Sequence, residues 1–179
     1  MKATGIVRRI DDLGRVVIPK EIRRTMRIRE GDPLEIYTEK DGEVIFKKYS
    51  PMGEWSESAT QLCETMYKAS NVSAAVSDRD TYISVCGANK RDLSEKHISS
   101  ELEQIMEGRK PYLRQSGERG IPLTEGGDKY ILETAAPILS EGDVLGCVLF
   151  FSEGDKTVGE VEFKLAQTIA GFLGKQMES

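Results

Sequence analysis

Residues 15–27 of the chain read Arg-Val-Val-Ile-Pro-Lys-Glu-Ile-Arg-Arg-Thr-Met-Arg. The β-branched run at 16–18 is typical of a half-buried strand. Pro19 follows where a helix can begin, because the first helical position needs no amide hydrogen and the fixed φ of proline suits it. The stretch therefore predicts a short strand that continues directly into a short helix.

The predicted helix separates an apolar side from a cationic side. At about 100° per residue, Ile22 and Met26 fall on one face. The cations within an arc of roughly 100° on the opposite side are Lys20, Arg23, Arg24 and Arg27. An isolated cationic face is as compatible with simple solvation as with binding of a polyanion. The charge distribution over the whole chain is needed to distinguish the two.

The chain is acidic overall but basic at its N-terminal end. Its 179 residues include 25 Lys and Arg against 30 Asp and Glu, a formal net charge of −5. Residues 1–29 carry 9 basic and 3 acidic side chains, net +6, whereas residues 51–179 carry 13 and 21, net −8. Such an asymmetry indicates that the N-terminal end meets a polyanion.

Composition argues against a membrane protein, a secreted protein and a metalloprotein. No apolar run approaches the ~20 residues that span a bilayer, and charged residues interrupt the N-terminus where a signal peptide would be apolar, so a cytoplasmic protein without membrane contact is expected. The three cysteines lack a Cys-x-x-Cys pair and His97 is the single histidine, which argues against a zinc site. No metal or other cofactor is expected, and each cysteine is interpreted as a small buried residue.

Residues 1–50 are predicted to form one small domain of four strands and one helix. The strands are predicted at 3–10, 15–18, 34–39 and 43–49, the last two joined by an Asp41-Gly42 hairpin turn. The helix is expected to end near Gly31. The apolar residues are too few to bury one another well, so the domain is expected to dimerise, with strands exchanged between two chains.

Residues 51–56 are predicted as a linker, because Pro51 and Gly53 interrupt regular structure, and residues 57–179 as a second domain. Apolar stripes predict helices over 55–69 and after a capping-box pattern at 157–160, with a third helix over 94–107. Strands are predicted at 72–77, 81–86, 111–114, 131–139 and 144–152. This order favours an antiparallel sheet with helices on one side, an α+β fold. The two flanking helices are candidates for a second dimer contact, which would give a tetramer.

The N-terminal domain resembles the AbrB family of transition-state regulators. The resemblance covers residues 4–24 and continues through Leu-Glu-Ile-Tyr at 34–37 and Phe-Lys-Lys-Tyr at 46–49. It implies a swapped-hairpin β-barrel made by two chains and DNA contact through the matching arginines, which are Arg8, Arg15, Arg23 and Arg24. Arg9 stands where AbrB itself carries a lysine, a change that keeps the charge. Lys20 stands at a position that is apolar in AbrB, so the resemblance assigns it no role. Lys20 and Arg27 are candidates only for phosphate contact.

The second domain resembles GAF domains, a family of small-molecule sensors. The likeness rests on the element order and on the paired runs Ala-Pro-Ile-Leu at 136–139 and Val-Leu-Gly-Cys-Val-Leu at 144–149. It implies a ligand pocket, although the Asn-Lys-x-x-x-Phe-x-x-x-Asp-Glu motif of the cyclic-nucleotide class is absent. A purely oligomeric role is equally compatible with the sequence.

The sequence therefore predicts a transcriptional regulator, activator or repressor, that binds double-stranded DNA as a homo-oligomer. No Walker A, His-Glu-x-x-His or Gly-x-Ser-x-Gly motif suggests an enzyme. Two alternatives remain open. One is an antitoxin of the MazE type, which shares the N-terminal fold but carries a flexible tail. The other is a GAF-fold methionine sulfoxide reductase that uses cysteines, for which Cys63, Cys86 and Cys147 are the available thiols.

Overall fold

The computed structural model describes residues 4–94, 96–154 and 158–178. The chain divides into two compact units, Met1–Tyr49 and Ser50–Ser179. Each unit is built around its own antiparallel sheet.

The N-terminal unit contains one helix and one β-hairpin. Its elements are α1 (Lys20–Thr25), β1 (Leu34–Thr38) and β2 (Val44–Lys48). The predicted hairpin is confirmed: Thr38 pairs with Val44, and Gly42 adopts the left-handed conformation (φ 82°) that the turn requires.

The two strands predicted at 3–10 and 15–18 are not strands in the single chain, and residue 3 lies outside the described residues. Residues 4–10 and 15–18 run without regular secondary structure on either side of a turn at residues 11–14. A strand exists only where a neighbouring strand pairs its backbone, and among the described residues the hairpin β1–β2 pairs only with itself. The local sequence is suited to a strand, but the described part of one copy supplies no partner for it.

The helix α1 ends earlier than predicted. Its last residue is Thr25, and Arg27 adopts φ 51°, which ends the helix before Gly31. The amide of Ile28 donates to the carbonyl of Arg23 (2.8 Å) and that of Arg27 to the carbonyl of Arg24 (3.3 Å), the two bonds of a Schellman motif. A left-handed residue usually is glycine, so the sequence pointed to the wrong position.

The C-terminal unit has a six-stranded antiparallel sheet and four α-helices among its described residues. Its elements are a 3-10 helix (Pro51–Gly53), α2 (Ser56–Ser70), β3 (Ser73–Asp78), β4 (Tyr82–Cys86), α3 (Lys90–Leu93), α4 (Ser100–Glu107), β5 (Tyr112–Leu113), β6 (Ile121–Pro122), β7 (Ile131–Ser140), β8 (Asp143–Ser152) and α5 (Glu160–Gln176). The strands follow the order β4-β3-β8-β7-β5, with β6 also paired to β7.

The prediction that the helices lie on one side of this sheet is wrong. Helices α2 and α5 pack on one face through residues such as Cys63 and Leu173. Helices α3 and α4 pack on the other face through residues such as Leu93 and Leu102. The central strands β7 and β8 are therefore buried on both faces, which explains why their sequences are almost continuously apolar rather than alternating.

The helices α2 and α5 are confirmed close to their predicted bounds. Glu162 accepts the amide hydrogen of Gly159 (3.0 Å) at the start of α5, whereas Thr157 of the predicted capping box lies outside the described residues. The segment predicted as a linker is partly packed: its 3-10 helix buries Met52 completely in the core beneath α2 and α5. The predicted helix over 94–107 is regular only from Ser100, where Ser99 caps it.

Candidate nucleic-acid interface

A tight turn held by Asp11 presents Arg15. The Asp11 carboxylate accepts the amide hydrogens of Leu13 (3.0 Å) and Arg15 (2.7 Å), and its second oxygen lies 2.8 Å from Arg15 Nε. Gly14 completes the turn at φ 77°. The Arg15 side chain is nevertheless 70% exposed, so the ion pair orients the guanidinium without burying it.

The hydrogen bonds of this turn also lower the pKa of Asp11. The backbone hydrogen bond from Arg15 is the largest cause, and the side-chain hydrogen bond from Arg15 is the next. Both favour the charged carboxylate. Asp11 is therefore ionised at neutral pH, and the turn keeps its shape there.

Arg8 and Arg9 lie on the irregular segment before this turn and are exposed. Their apolar neighbours Val7 and Ile10 are exposed too, at 87% and 71%. Cationic and apolar side chains therefore share the exposed surface of one segment.

Helix α1 carries three of the predicted cations on its exposed surface. Lys20 opens the helix, and Arg23 and Arg24 lie in its last turn. Positive side chains near a helix C-terminus interact favourably with the partial negative charge of the unpaired carbonyls. The Schellman bonds occupy the carbonyls of Arg23 and Arg24, so their guanidinium groups need not turn back to cap the helix.

Arg27 differs from the other predicted cations. It follows the helix instead of lying on its face, it is half-buried, and its Nη1 is shielded from solvent. Its carbonyl oxygen accepts a hydrogen bond from Lys48 Nζ at 2.8 Å. The predicted four-cation helix face is therefore a three-cation face.

A brace that the sequence analysis missed joins the end of α1 to the hairpin. Lys48 Nζ lies 3.6 Å from Asp32 Oδ2, and the same oxygen accepts the amide hydrogen of Arg29 at 2.8 Å. The Asp32 side chain is only 5% exposed. Lys48 and Asp32 are 16 positions apart in sequence, so no local spacing could have revealed the pair. The spacing of Asp11 and Arg15, by contrast, is a visible signal.

Comparison with known proteins matches both units. Residues 54–178 match the family described as "Stage V sporulation protein T C-terminal, transcription factor". Stage V sporulation protein T of Bacillus subtilis is 52% identical over 179 residues, with 99% of each chain covered. The chain belongs to the stage V sporulation protein T family. Membership places it among sporulation transcription factors.

Two further matches concern one unit each. Residues 7–53 match the MazE bacterial antitoxin family, and the transition state regulatory protein AbrB of Bacillus subtilis is 63% identical over 51 residues, which are 28% of this chain and 52% of AbrB. The solved GAF domain of an Acinetobacter phosphoenolpyruvate-protein phosphotransferase covers 73% of this chain and 84% of its own, with a TM-score of 0.52 and 11% identity. That likeness shows the GAF fold alone.

The C-terminal unit also contains a polar cleft of about 320 Å³. Its lining residues are Asp92, Lys96, Thr124, Gly126, Gly127, Asp128, Lys129 and Tyr130. Lys129 Nζ lies 2.7 Å from Asp92 Oδ2, which also accepts a hydrogen bond from Tyr130 (2.8 Å). The hydrogen bond with Lys129 is the main cause that lowers the pKa of Asp92, and the same bond raises the pKa of Lys129.

The cysteines and the histidine do not form one site. Cys147 lies in the core beneath α3 and α4, whereas Cys63 and Cys86 lie on the opposite face of the sheet. Burial raises the pKa of Cys63 and of Cys147 to about 12, the reverse of what an attacking thiolate needs. His97 is exposed and bridges its backbone to Thr81.

The described part of the chain contains neither a group of metal ligands nor a membrane-spanning helix. In residues 4–94, 96–154 and 158–178, no three His, Cys, Asp or Glu side chains come together as metal ligands. Within the same residues, every helix is too short or too polar to cross a bilayer.

Proposed function

We propose that the N-terminal unit binds double-stranded DNA through arginines and thereby regulates the transcription of sporulation genes, as activator or repressor. The observation that carries this proposal is the exposure of the family-matched arginines on a unit with net positive charge. Arg8, Arg15, Arg23 and Arg24 are all exposed, as is Arg9. They belong to one small unit of an otherwise acidic chain. We propose residues 1–50 as the DNA-binding domain.

Arginine suits base reading better than lysine does. Its planar fork can donate two parallel hydrogen bonds to guanine O6 and N7, or it can grip phosphate, and it keeps its charge at any cellular pH. Seven of the nine cations in residues 1–29 are arginines. We assign DNA contact to Arg8, Arg9, Arg15, Arg23 and Arg24.

We assign to Lys20 and Arg27 only a contact with DNA phosphate. Lys20 is exposed on α1 beside the reading arginines, which favours an electrostatic role. Arg27 is half-buried and its carbonyl oxygen accepts a hydrogen bond from Lys48, so its side chain is the weaker candidate.

The proposed DNA-binding form is a dimer through residues 1–50. Within the described residues 4–49, Pro19 is the only buried residue, so a single copy has almost no core. The apolar residues left exposed, by 38–87%, include Ile6, Val7, Ile10, Leu13, Val16, Val17, Met26, Ile36, Val44 and Phe46. Burial of such surface stabilises by about 25 cal/mol per Å². A second chain that supplies the missing strand partners would bury it and would place a second set of arginines across a two-fold axis.

The C-terminal unit is proposed to assemble dimers into tetramers and to sense a small molecule. Phe172 and Val161 on α5 are 50% and 75% exposed, which favours a contact between copies through α5 and α2. The polar cleft beside Asp92 is the proposed ligand-binding site. If no ligand binds there, the unit acts in assembly alone. We propose no catalytic role, no membrane contact and a cytoplasmic location, where the chromosome is accessible.

The antitoxin alternative is not favoured. The MazE match ends at residue 53, and the described residues that follow form a sheet packed by helices on both faces rather than a flexible tail.

The proposal is tested by titrating the full-length protein against duplex DNA that carries an operator selected from random sequence. We expect Arg23→Ala or Arg24→Ala to weaken binding by about 1–3 kcal/mol if the residue reads a base. Arg119→Ala is the matched control, since Arg119 is an exposed arginine of the C-terminal unit and should leave affinity unchanged. Equal affinity of all three variants would reject the assigned interface.

A further inference from the structure

Two of the three cysteines lie beside each other. Cys63 is on α2 and Cys86 ends the edge strand β4, and α2 packs on β4 with Cα atoms within 8 Å. The Cys63 thiol donates to the carbonyl oxygen of Ala74, with Sγ 3.3 Å from the oxygen. Ala74 on β3 is the register partner of Cys86.

This register places both sulfur atoms on the same face of the sheet. Directly paired residues of antiparallel strands point their side chains to the same side, with Cα atoms about 4.5–5.5 Å apart. Ala74 faces the core beneath α2, and Cys86 packs against that same core. Cys63 enters the core from above and reaches the backbone of Ala74. The proximity of the two thiols also acts on Cys63, whose pKa is raised first by burial and then by the charge of Cys86.

The two thiols differ in access to solvent. Cys63 is completely buried, whereas Cys86 is only partly buried on the edge strand. An oxidant therefore reaches Cys86 first. Cys147 cannot take part, because it lies in the core on the other face of the sheet.

We propose that Cys63 and Cys86 are a thiol modification site that closes to an intramolecular disulfide when the protein meets hydrogen peroxide. In the first step the Cys86 thiol releases its proton, and the thiolate attacks one peroxide oxygen; the O–O bond breaks, a sulfenic acid forms, and the leaving hydroxide takes up the released proton as one water. In the second step the Cys63 sulfur attacks the Cys86 sulfur, the S–O bond breaks, and the leaving hydroxide takes the Cys63 proton as a second water. Together the two thiols lose two electrons, and one peroxide gains them and becomes two waters.

The bond would tie α2 to the edge of the sheet. Along the chain, α2 is the first long element after the proposed DNA-binding residues. Oxidation would therefore constrain the element that follows that unit in sequence. The second step is slow at neutral pH, because the buried Cys63 thiol holds its proton. Its rate rises with pH as more thiolate is present.

The test treats the full-length protein with hydrogen peroxide, blocks remaining thiols and digests it with trypsin. We expect a mass loss of two hydrogens and one linked peptide pair that joins residues 49–68 to residues 80–90. The thermal midpoint of the C-terminal unit should rise by about 5–10 °C, because the bond closes a loop in the unfolded chain. Dithiothreitol should reverse both changes.

Two variants make the result decisive. Cys147→Ser should still form the linked pair, and Cys86→Ser should form none, with Cys63 recovered as a thiol after unfolding. The proposal is overturned if wild-type Cys86 stops at sulfenic or sulfinic acid, if it links to a cysteine of another chain, or if the linked pair contains Cys147.

Discussion

Lys48 donates a hydrogen bond of 2.8 Å from its ammonium group to the carbonyl oxygen of Arg27. Arg27 is the left-handed residue that ends α1, and Lys48 is the last residue of β2. The bond therefore joins the helix that carries Arg23 and Arg24 to the β-hairpin. A rigid support of this kind is what geometric readout of bases requires, because a small displacement misaligns a two-point hydrogen bond.

We expect Lys48→Met to lower the free energy of unfolding by about 1 kcal/mol, since it removes this hydrogen bond and the ion pair with Asp32 while keeping a similar side-chain volume. Urea unfolding measures the change. Asp32→Asn separates position from charge in a DNA titration, because it damages the brace but makes the unit more positive. Weaker binding by both variants indicates a positioning role, whereas tighter binding by Asp32→Asn would show that only net charge matters.

The turn at Asp11 is expected to loosen in acid. Folding lowers the pKa of Asp11 below its usual value of 3.8, so the folded turn favours the carboxylate. Its contribution to stability is fully present above pH 3.8 and is lost as the pH falls through the lower folded pKa. Amide exchange of Leu13 and Arg15, whose hydrogens the carboxylate accepts, measures this loss. Asp11→Asn should already show the lower protection of these amides, relative to their intrinsic exchange rate, at pH 7. Its protection should not fall further across the acid range.

The elements that the sequence predicted well are those specified by local pattern. The stripes that mark α2 and α5, and the Asp41-Gly42 turn, depend on neighbours within a few residues, and all three are present. The helix stop at Arg27 was missed because a left-handed arginine has no sequence signature.

Features that depend on distant pairing were missed for a different reason. The Lys48–Asp32 brace and the Cys63–Cys86 pair exist only after strands take their register, which single-sequence patterns do not specify. The N-terminal strands were predicted from residues that favour strands, but their pairing partners are absent from one chain. The exposed arginines could be assigned only because the family resemblance supplied their roles.

Two glycines of α5 should respond to alanine with opposite sign. A Cβ at Gly174 would lie 2.1 Å from the carbonyl oxygen of Leu139, so Gly174→Ala must displace α5 from β7 and should cost about 1–3 kcal/mol. A Cβ at Gly171 meets nothing within 4 Å, and Gly171→Ala should stabilise the helix by about 0.8 kcal/mol. Thermal unfolding compares them. Loss of stability in Gly171→Ala would indicate that another chain packs closely there.

Affinity for DNA should depend steeply on salt. Each phosphate that the basic unit neutralises releases counterions and adds about −0.9 to the slope of log K against log salt concentration. Lys20→Ala should reduce the slope by about one if Lys20 contacts a phosphate, whereas Lys68→Ala in the C-terminal unit should not change it. A slope near zero for the wild-type protein would mean that the basic unit does not meet DNA.

The exposed apolar surface of residues 4–49 predicts a large effect of a single charge. Val7 is 87% exposed in one chain, and a substitution at such a position normally changes stability by less than about 0.5 kcal/mol. If Val7 is buried between two chains, Val7→Asp places a charge in their shared core and should split the dimer. Sedimentation equilibrium over a range of concentrations measures the assembly, and Thr4→Asp adds the same charge to the same segment without removing apolar area. A wild-type protein that sediments as a monomer, or a Val7→Asp variant that assembles as the wild type does, would contradict the dimeric DNA-binding unit.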